Sequence, residues 1–171
     1  INTVTSTVWI MSSRKVAYVG TFLPDSLREA HDWSTHSPAG RAQQQSTISA
    51  LSQIGCQVDV VASMMPIDGE AGLVSKQSDE TDDARVIVPP GVDLIPTSGP
   101  PRLLSLLRTL QFKLVLPIFV TLQLCRLARR EDYDVIMFYN FNIITAFPSL
   151  IAGLLFHTPI VIDFNDSRLD S

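Results

Sequence analysis

Cysteine is scarce in this chain, with two among 171 residues. Cys56 and Cys125 have none of the short spacing by which thiolates collect a metal. Each lies in or beside an apolar segment, which reads as a pair of reduced, buried thiols in a cytosolic protein. Basic residues are outnumbered: 13 Lys and Arg against 17 Asp and Glu leave a net charge of −4. The bulk field therefore repels phosphate backbones and argues against nucleic acid as the main partner. No glycine-rich fingerprint follows the first strand; Gly20 stands alone there, which excludes the G-x-G-x-x-G of nicotinamide-binding domains. The early acidic pair of a receiver domain is missing too. His31 and His36 have no third placed ligand, and the acids of Ser78–Asp83 lack the ordered alternation of a calcium loop. No metal or other cofactor is expected, and 64–85 reads as a solvated loop. Ile1–Ile10 has neither a basic n-region nor a small-residue cleavage site, so it is no secretory signal. The uncharged run Leu114–Cys125 is too short for a membrane span: at about 1.5 Å per residue it covers about 18 Å, against a hydrocarbon core of about 30 Å. Lengthening it to Leu103 would bury Arg108 and Lys113, at about 3 kcal/mol each near the centre of a span.

What is present is an apolar share of 46% with 18% charged residues, enough for one globular domain with a real core. Its last third carries the clearest pattern. Asp134–Tyr139 reads as a strand, Asn140–Asn142 as a polar turn, Ile143–Phe156 as an apolar helix and Ile160–Ile162 as a second strand running into Asp163–Asp166. Both strands are apolar without alternation, as in a parallel sheet covered on both faces. The unit is a right-handed βαβ crossover, and ligands of such sheets gather beyond the carboxyl ends of the strands. The helix, apolar nearly all round, should be deeply buried. Pro148 means that it either begins there or is kinked there.

Upstream, Lys15–Phe22 reads as a strand entering a long polar loop, 23–39, which holds Arg28, His31, Asp32, Trp33 and His36. Loops of that length are functional or mobile, and Trp33 is either a lid on the core or an apolar-ligand contact. Gly40–Ile54 reads as a helix with an apolar row at Ile48, Leu51 and Ile54, capped by Ser34 or Ser37 and ended by Gly55. Gln57–Ala62 is the second strand and Val86–Pro89 a short third. Arg102–Arg130 reads as a pair of helices broken near Leu114 by Pro117. Their apolar faces cover the sheet, fringed by Arg102, Arg108, Lys113, Arg126, Arg129 and Arg130. Those cations are either snorkelling rim residues or a basic patch for peripheral contact with anionic lipid through residues 102–130. The fold class is thus α/β, a Rossmann-like parallel sheet with helices on both faces. Residues 1–10 read as lying upstream of a natural start near Met11, 1–14 as an extension outside the native fold, and 15–171 as the domain.

The order of these parts resembles the N-terminal domain of the GT-B glycosyltransferases, in particular the retaining, nucleotide-sugar-dependent family 4. The carriers are Ser37–Arg41, Leu51–Val61, Asp134–Ile136 with Tyr139–Asn140, and Thr158–Asp166. The resemblance implies that Gly40 and Arg41 form the turn facing the nucleotide diphosphate, with Ala39 where the family usually has a further glycine. It implies that Asn140, Asp163 and Asp166 line the acceptor side of an interdomain cleft. Asn165 stands where the family often has His or Glu, so no general base is expected, and the usual retaining mechanism lets the leaving diphosphate assist the acceptor. The implied partners are a nucleotide-sugar and a glycan or lipid-linked acceptor, in the cytoplasm or at the inner face of the membrane. The family's donor domain, with its two glutamates seven residues apart, has no counterpart here, so the expectation is a truncated, acceptor-side half that is inactive alone. The competing expectation is a non-catalytic α/β binding or membrane-associated module.

Overall fold

In the computed structural model, residues 14–22, 38–63, 78–81, 84–87 and 110–164 are described. The loop bearing His31, Trp33 and His36, the segment 88–109 and Asp166 lie outside them, as does the proposed extension up to residue 13. Five parallel strands form the sheet: β1 (Lys15–Gly20), β2 (Gln57–Ala62), β4 (Ala84–Ile87), β5 (Val135–Tyr139) and β6 (Ile160–Asp163). A further strand, β3 (Ser78–Thr81), runs antiparallel to β4, and the spatial order is β3-β4-β2-β1-β5-β6. The Rossmann-like α/β class expected from the sequence is the class observed. Unbroken apolar strands such as Val16–Val19 are buried because both faces are covered. The Arg14 carbonyl accepts the Gln57 N–H at 2.8 Å, so sheet pairing begins one residue before β1.

Helix α1 (Pro38–Gln53) covers one face, over Tyr18, Val58, Val60 and Val86. It ends in a Schellman turn: Cys56 N–H reaches Leu51 O at 3.0 Å, Gly55 N–H reaches Ser52 O at 2.8 Å, and Gly55 takes φ +86°. The apolar row expected along α1 holds at two of its three positions. Ile48 is buried and Leu51 packs against the same core, but Ile54, just past the helix end, is 71% exposed, and Gln44, one turn before Ile48, is also turned inward.

The other face carries α2 (Leu116–Ala128) and α3 (Ile143–Phe156), side by side over Ala17, Val19, Val61, Ile136 and Phe138. The expected break at Pro117 takes the form of a widened π turn at Gln111–Val115 leading directly into α2. Pro117 has no N–H for the Lys113 carbonyl and its ring crowds that carbonyl; the wider turn relieves both. No helix among the described residues is long and apolar enough to cross a membrane.

Three expectations need correction. The region 64–85 is not loop throughout, because Ser78–Thr81 pairs with Ala84–Ile87. Its polar sequence has no apolar alternation to betray it, as is common for edge strands. The third strand accordingly starts at Ala84, earlier than Val86. Helix α3 is not deeply buried: the small residues Ala146, Ser149, Ala152 and Gly153 are among those it buries against the sheet and α2, and Leu154 is left 73% exposed. It neither starts nor stops at Pro148, and beside that interruption the Ser149 hydroxyl donates to Thr145 O at 2.7 Å.

Candidate functional site at the sheet switch point

From β1 the chain first builds outward through β2 and β4, then returns to place β5 and β6 on the opposite side. The carboxyl ends of β1 and β5 therefore diverge into a crevice, the position where open α/β sheets take their ligands. Four segments meet along this edge: Gly20–Thr21, the first turn of α1, Tyr139–Asn140, and Asp163.

Gln44 is the buckle of this edge. It is 1% exposed, and a buried amide must be paired. Its Oε1 accepts the Thr21 N–H at 2.9 Å, while its Nε2 donates to Thr21 Oγ1 at 3.1 Å and to Gly40 O at 3.2 Å. One side chain thus binds the end of β1 to the start of α1. From the other side, Ser63 donates through N–H and Oγ to Gly20 O, at 2.7 and 2.9 Å. Gly40 lies against the Tyr139 ring: a Cβ there would stand 2.9 Å from Tyr139 Oη. The absence of that carbon lets the helix start reach the tip of β5. Backbone N–H groups of a helix start attract phosphate and carboxylate, and Arg41 sits half-buried in the same turn.

Asp163 closes the far side. Its Oδ2 accepts from Tyr18 Oη at 2.8 Å and Thr47 Oγ1 at 3.1 Å, and its Oδ1 from Gln43 Nε2 at 3.2 Å. Those three donors, two of them one turn apart on α1, make the carboxylate an anchor between β6 and α1. Burial, then the bond to Asp163, push the Tyr18 phenol far above its ordinary pKa, so it remains a neutral donor. The Asp163 carbonyl accepts the Asn140 N–H at 2.9 Å. Asn140 itself takes φ +53°, a left-handed geometry that asparagine tolerates better than most residues. Its carbonyl accepts from Thr145 Oγ1 at 2.9 Å. Two residues on, Asn142 Oδ1 caps α3 through the N–H groups of Ile144 and Thr145, at 2.9 and 3.1 Å.

Of the residues singled out from the sequence, Gly40, Arg41, Asn140 and Asp163 are on this one edge, and Asp166 lies outside the described residues. Gln43, Gln44 and Thr47 were not singled out. The signal available was a polar i, i+1, i+4 set preceding the single buried isoleucine of α1. No group of three or more His, Cys, Asp or Glu that could hold a metal occurs among the described residues.

A second polar cluster sits at the opposite, amino edge. Asp59, 3% exposed in the middle of β2, receives Arg85 Nε at 2.9 Å and Nη2 at 2.5 Å, together with Tyr133 Oη at 2.5 Å. Lys15 pairs with Glu131 at 2.6 Å beside it. Burial and the bond to Asp59 raise the Tyr133 pKa well above its ordinary range. Both carboxylate oxygens of Asp59 are engaged, by donors from two separate segments, which makes this a clamp tying β2 to its neighbours rather than a ligand site.

The fold and this edge together define a doubly wound, Rossmann-like α/β domain with its candidate site at the switch point. No family profile and no curated protein matches the chain. Two crystal structures of the C-terminal domain of a hydrogenase from Pyrococcus furiosus are similar to it. One has 13% identity and a TM-score of 0.50, over 88% of this chain and 90% of that one. The other has 12% identity and a TM-score of 0.51, over 87% and 90%. At such identities the likeness shows the shared fold alone.

Proposed function

We propose that the chain is the acceptor-binding, N-terminal domain of a retaining, nucleotide-sugar-dependent glycosyltransferase of the GT-B kind. The observation that supports this reading best is the meeting of Gly40–Arg41, Tyr139–Asn140 and Asp163 at a crevice between β1 and β5. In the proposed roles, the first turn of α1 faces the diphosphate of the donor or a phosphate of a lipid-linked acceptor. Asn140 offers amide hydrogen bonds to the acceptor from its left-handed perch. Asp163 acts as a positioning residue: with its carboxylate committed to Tyr18, Thr47 and Gln43, it holds the end of β6 and directs the chain toward Asp166. None of these residues is proposed as a general base. The donor is held chiefly by a second domain, and the protein works in the cytoplasm, at the inner face of the membrane if its acceptor is lipid-linked.

The test combines transfer and binding. Incubated with radiolabelled UDP- and GDP-sugars, the chain alone is expected to form no glycosylated product. In calorimetric titrations with oligosaccharides and farnesyl phosphate, it is expected to bind one of these acceptor types. Gly40→Val and Asn140→Ala should each weaken that binding by about tenfold, the loss of roughly 1.4 kcal/mol. Steady sugar transfer by the chain alone, or acceptor affinity indifferent to both substitutions, would contradict the proposal.

A further inference from the structure

The outer faces of α2 and α3 present an apolar surface that the packed sheet does not explain. On α2, Leu116, Val120 and Leu124 face the core, while Leu114, Ile118 and Leu122, spaced by four from the preceding π turn onward, are exposed. On α3, Phe147, Leu150 and Leu154 are exposed, while Ala146, Ser149, Ala152 and Gly153 are buried. Both rows point away from the same sheet face, and the helices carrying them pack side by side, so the rows form one surface. Helix α3 contains no charged residue at all, which is unusual for a helix with so exposed a face.

The charges around this surface select its occupant. Residues 110–130, which carry this surface on α2, contain four Lys and Arg, namely Lys113, Arg126, Arg129 and Arg130, and no Asp or Glu. The chain is acidic overall, yet the segment ending in α2 is wholly cationic. Among the described residues, Lys113 lies before α2, Arg126 continues the exposed row in its last turn, and Arg129 and Arg130 follow directly. A second copy docking through the same face would bring two cationic borders together. An apolar face bordered by Lys and Arg instead matches the boundary between anionic headgroups and acyl chains.

We infer that the outer face of α2 and α3 is a peripheral docking surface for an anionic lipid bilayer. Its apolar rows enter the headgroup boundary while the cations meet the phosphates. The inference is independent of the proposed sugar transfer, because it uses neither the switch-point edge nor any residue on it.

Flotation with vesicles tests it. Phosphatidylcholine vesicles mixed with phosphatidylglycerol should carry the chain to the top of the gradient, and vesicles of phosphatidylcholine alone should carry little. Raising the salt from near-physiological to about 1 M, which shortens the screening length from about 8 to about 3 Å, should weaken binding several-fold. Ile118→Gln with Leu150→Gln, both at exposed positions, should reduce binding to anionic vesicles about tenfold while leaving the circular dichroism spectrum unchanged. Arg126→Gln with Arg130→Gln should abolish the preference for anionic lipid. Equal binding to both vesicle types, no binding to either, or binding unaffected by Ile118→Gln with Leu150→Gln would overturn the inference. So would sedimentation showing that the face is covered in a stable dimer that ignores vesicles.

Discussion

Gln44, Asp163 and Asp59 show how single polar residues organise this molecule, because each is paired on every side and ties together segments distant in sequence. Asp59 is the most stringent case. Removing it by Asp59→Ala leaves Arg85 and the buried Tyr133 hydroxyl without their common partner. Stability measured by urea unfolding is expected to fall by about 3 kcal/mol, at the lower end for a broken buried pair because Arg85 keeps access to solvent. Tyr18 and Tyr133 make a pH prediction. Both have phenol pKa values raised in the folded state, chiefly by burial and then by the bond to a carboxylate. Below the ordinary phenol pKa of about 10 both states hold these protons and the stabilisation is complete. Above it the unfolded chain releases them and the folded chain does not, so stability is lost as pH rises. Each tyrosine contributes a slope of up to about 1.4 kcal/mol per pH unit in that range. Urea midpoints measured from pH 9 to 12 are expected to fall steeply above pH 10. Tyr18→Phe should make that fall shallower, and an unchanged slope would count against the assignment.

Among the elements, those with a strong period or an unbroken apolar run could be read from the sequence within a few residues. β1, β2, β5, β6 and the limits of α3 are of this kind. The failures have physical causes. β3 is a polar edge strand whose only reason to be extended is the free ladder of β4. The burial of α3 was misjudged because hydrophobicity alone does not say which side of a helix is inward. Steric fit decides it, and the small residues win because they allow the closest approach. A Cβ on Gly153 would stand 2.6 Å from Ile160 Cγ1 and 3.1 Å from Thr158 O. Gly153→Val is therefore expected to push α3 off β6 and lower stability by about 2 kcal/mol, as overpacking does. Thermal unfolding measures it, and an unchanged midpoint would mean that the contact is slack. Parts of the candidate edge were legible too. Gly40 and Asn140 stood out as a helix-start glycine and a polar tip after an apolar strand. The Gln44 buckle did not, because an isolated glutamine in a polar helix carries no sign that it is turned inward.

At the scale of the whole molecule, the chain keeps its polar and apolar work on different surfaces. The carboxyl edge gathers a helix start, an αL asparagine and an anchored aspartate around the switch point. The amino edge is locked by the Asp59 clamp, and the α2–α3 face is apolar with a cationic border. That division follows from the strand order β4-β2-β1-β5-β6, which sends the chain to both sides of β1 and leaves a single edge where ligand-facing tips can meet. The central claim is that this edge, and no other surface, takes the acceptor. Backbone hydrogen exchange of the chain, with and without the acceptor type that binds in calorimetry, measures it most directly. The expected result is slowed exchange at Thr21, the first turn of α1 and residues 139–142, with the amide protons around Tyr133 unchanged. Protection centred on the amino edge around Asp59 and Tyr133, with the first turn of α1 unaffected, would contradict it.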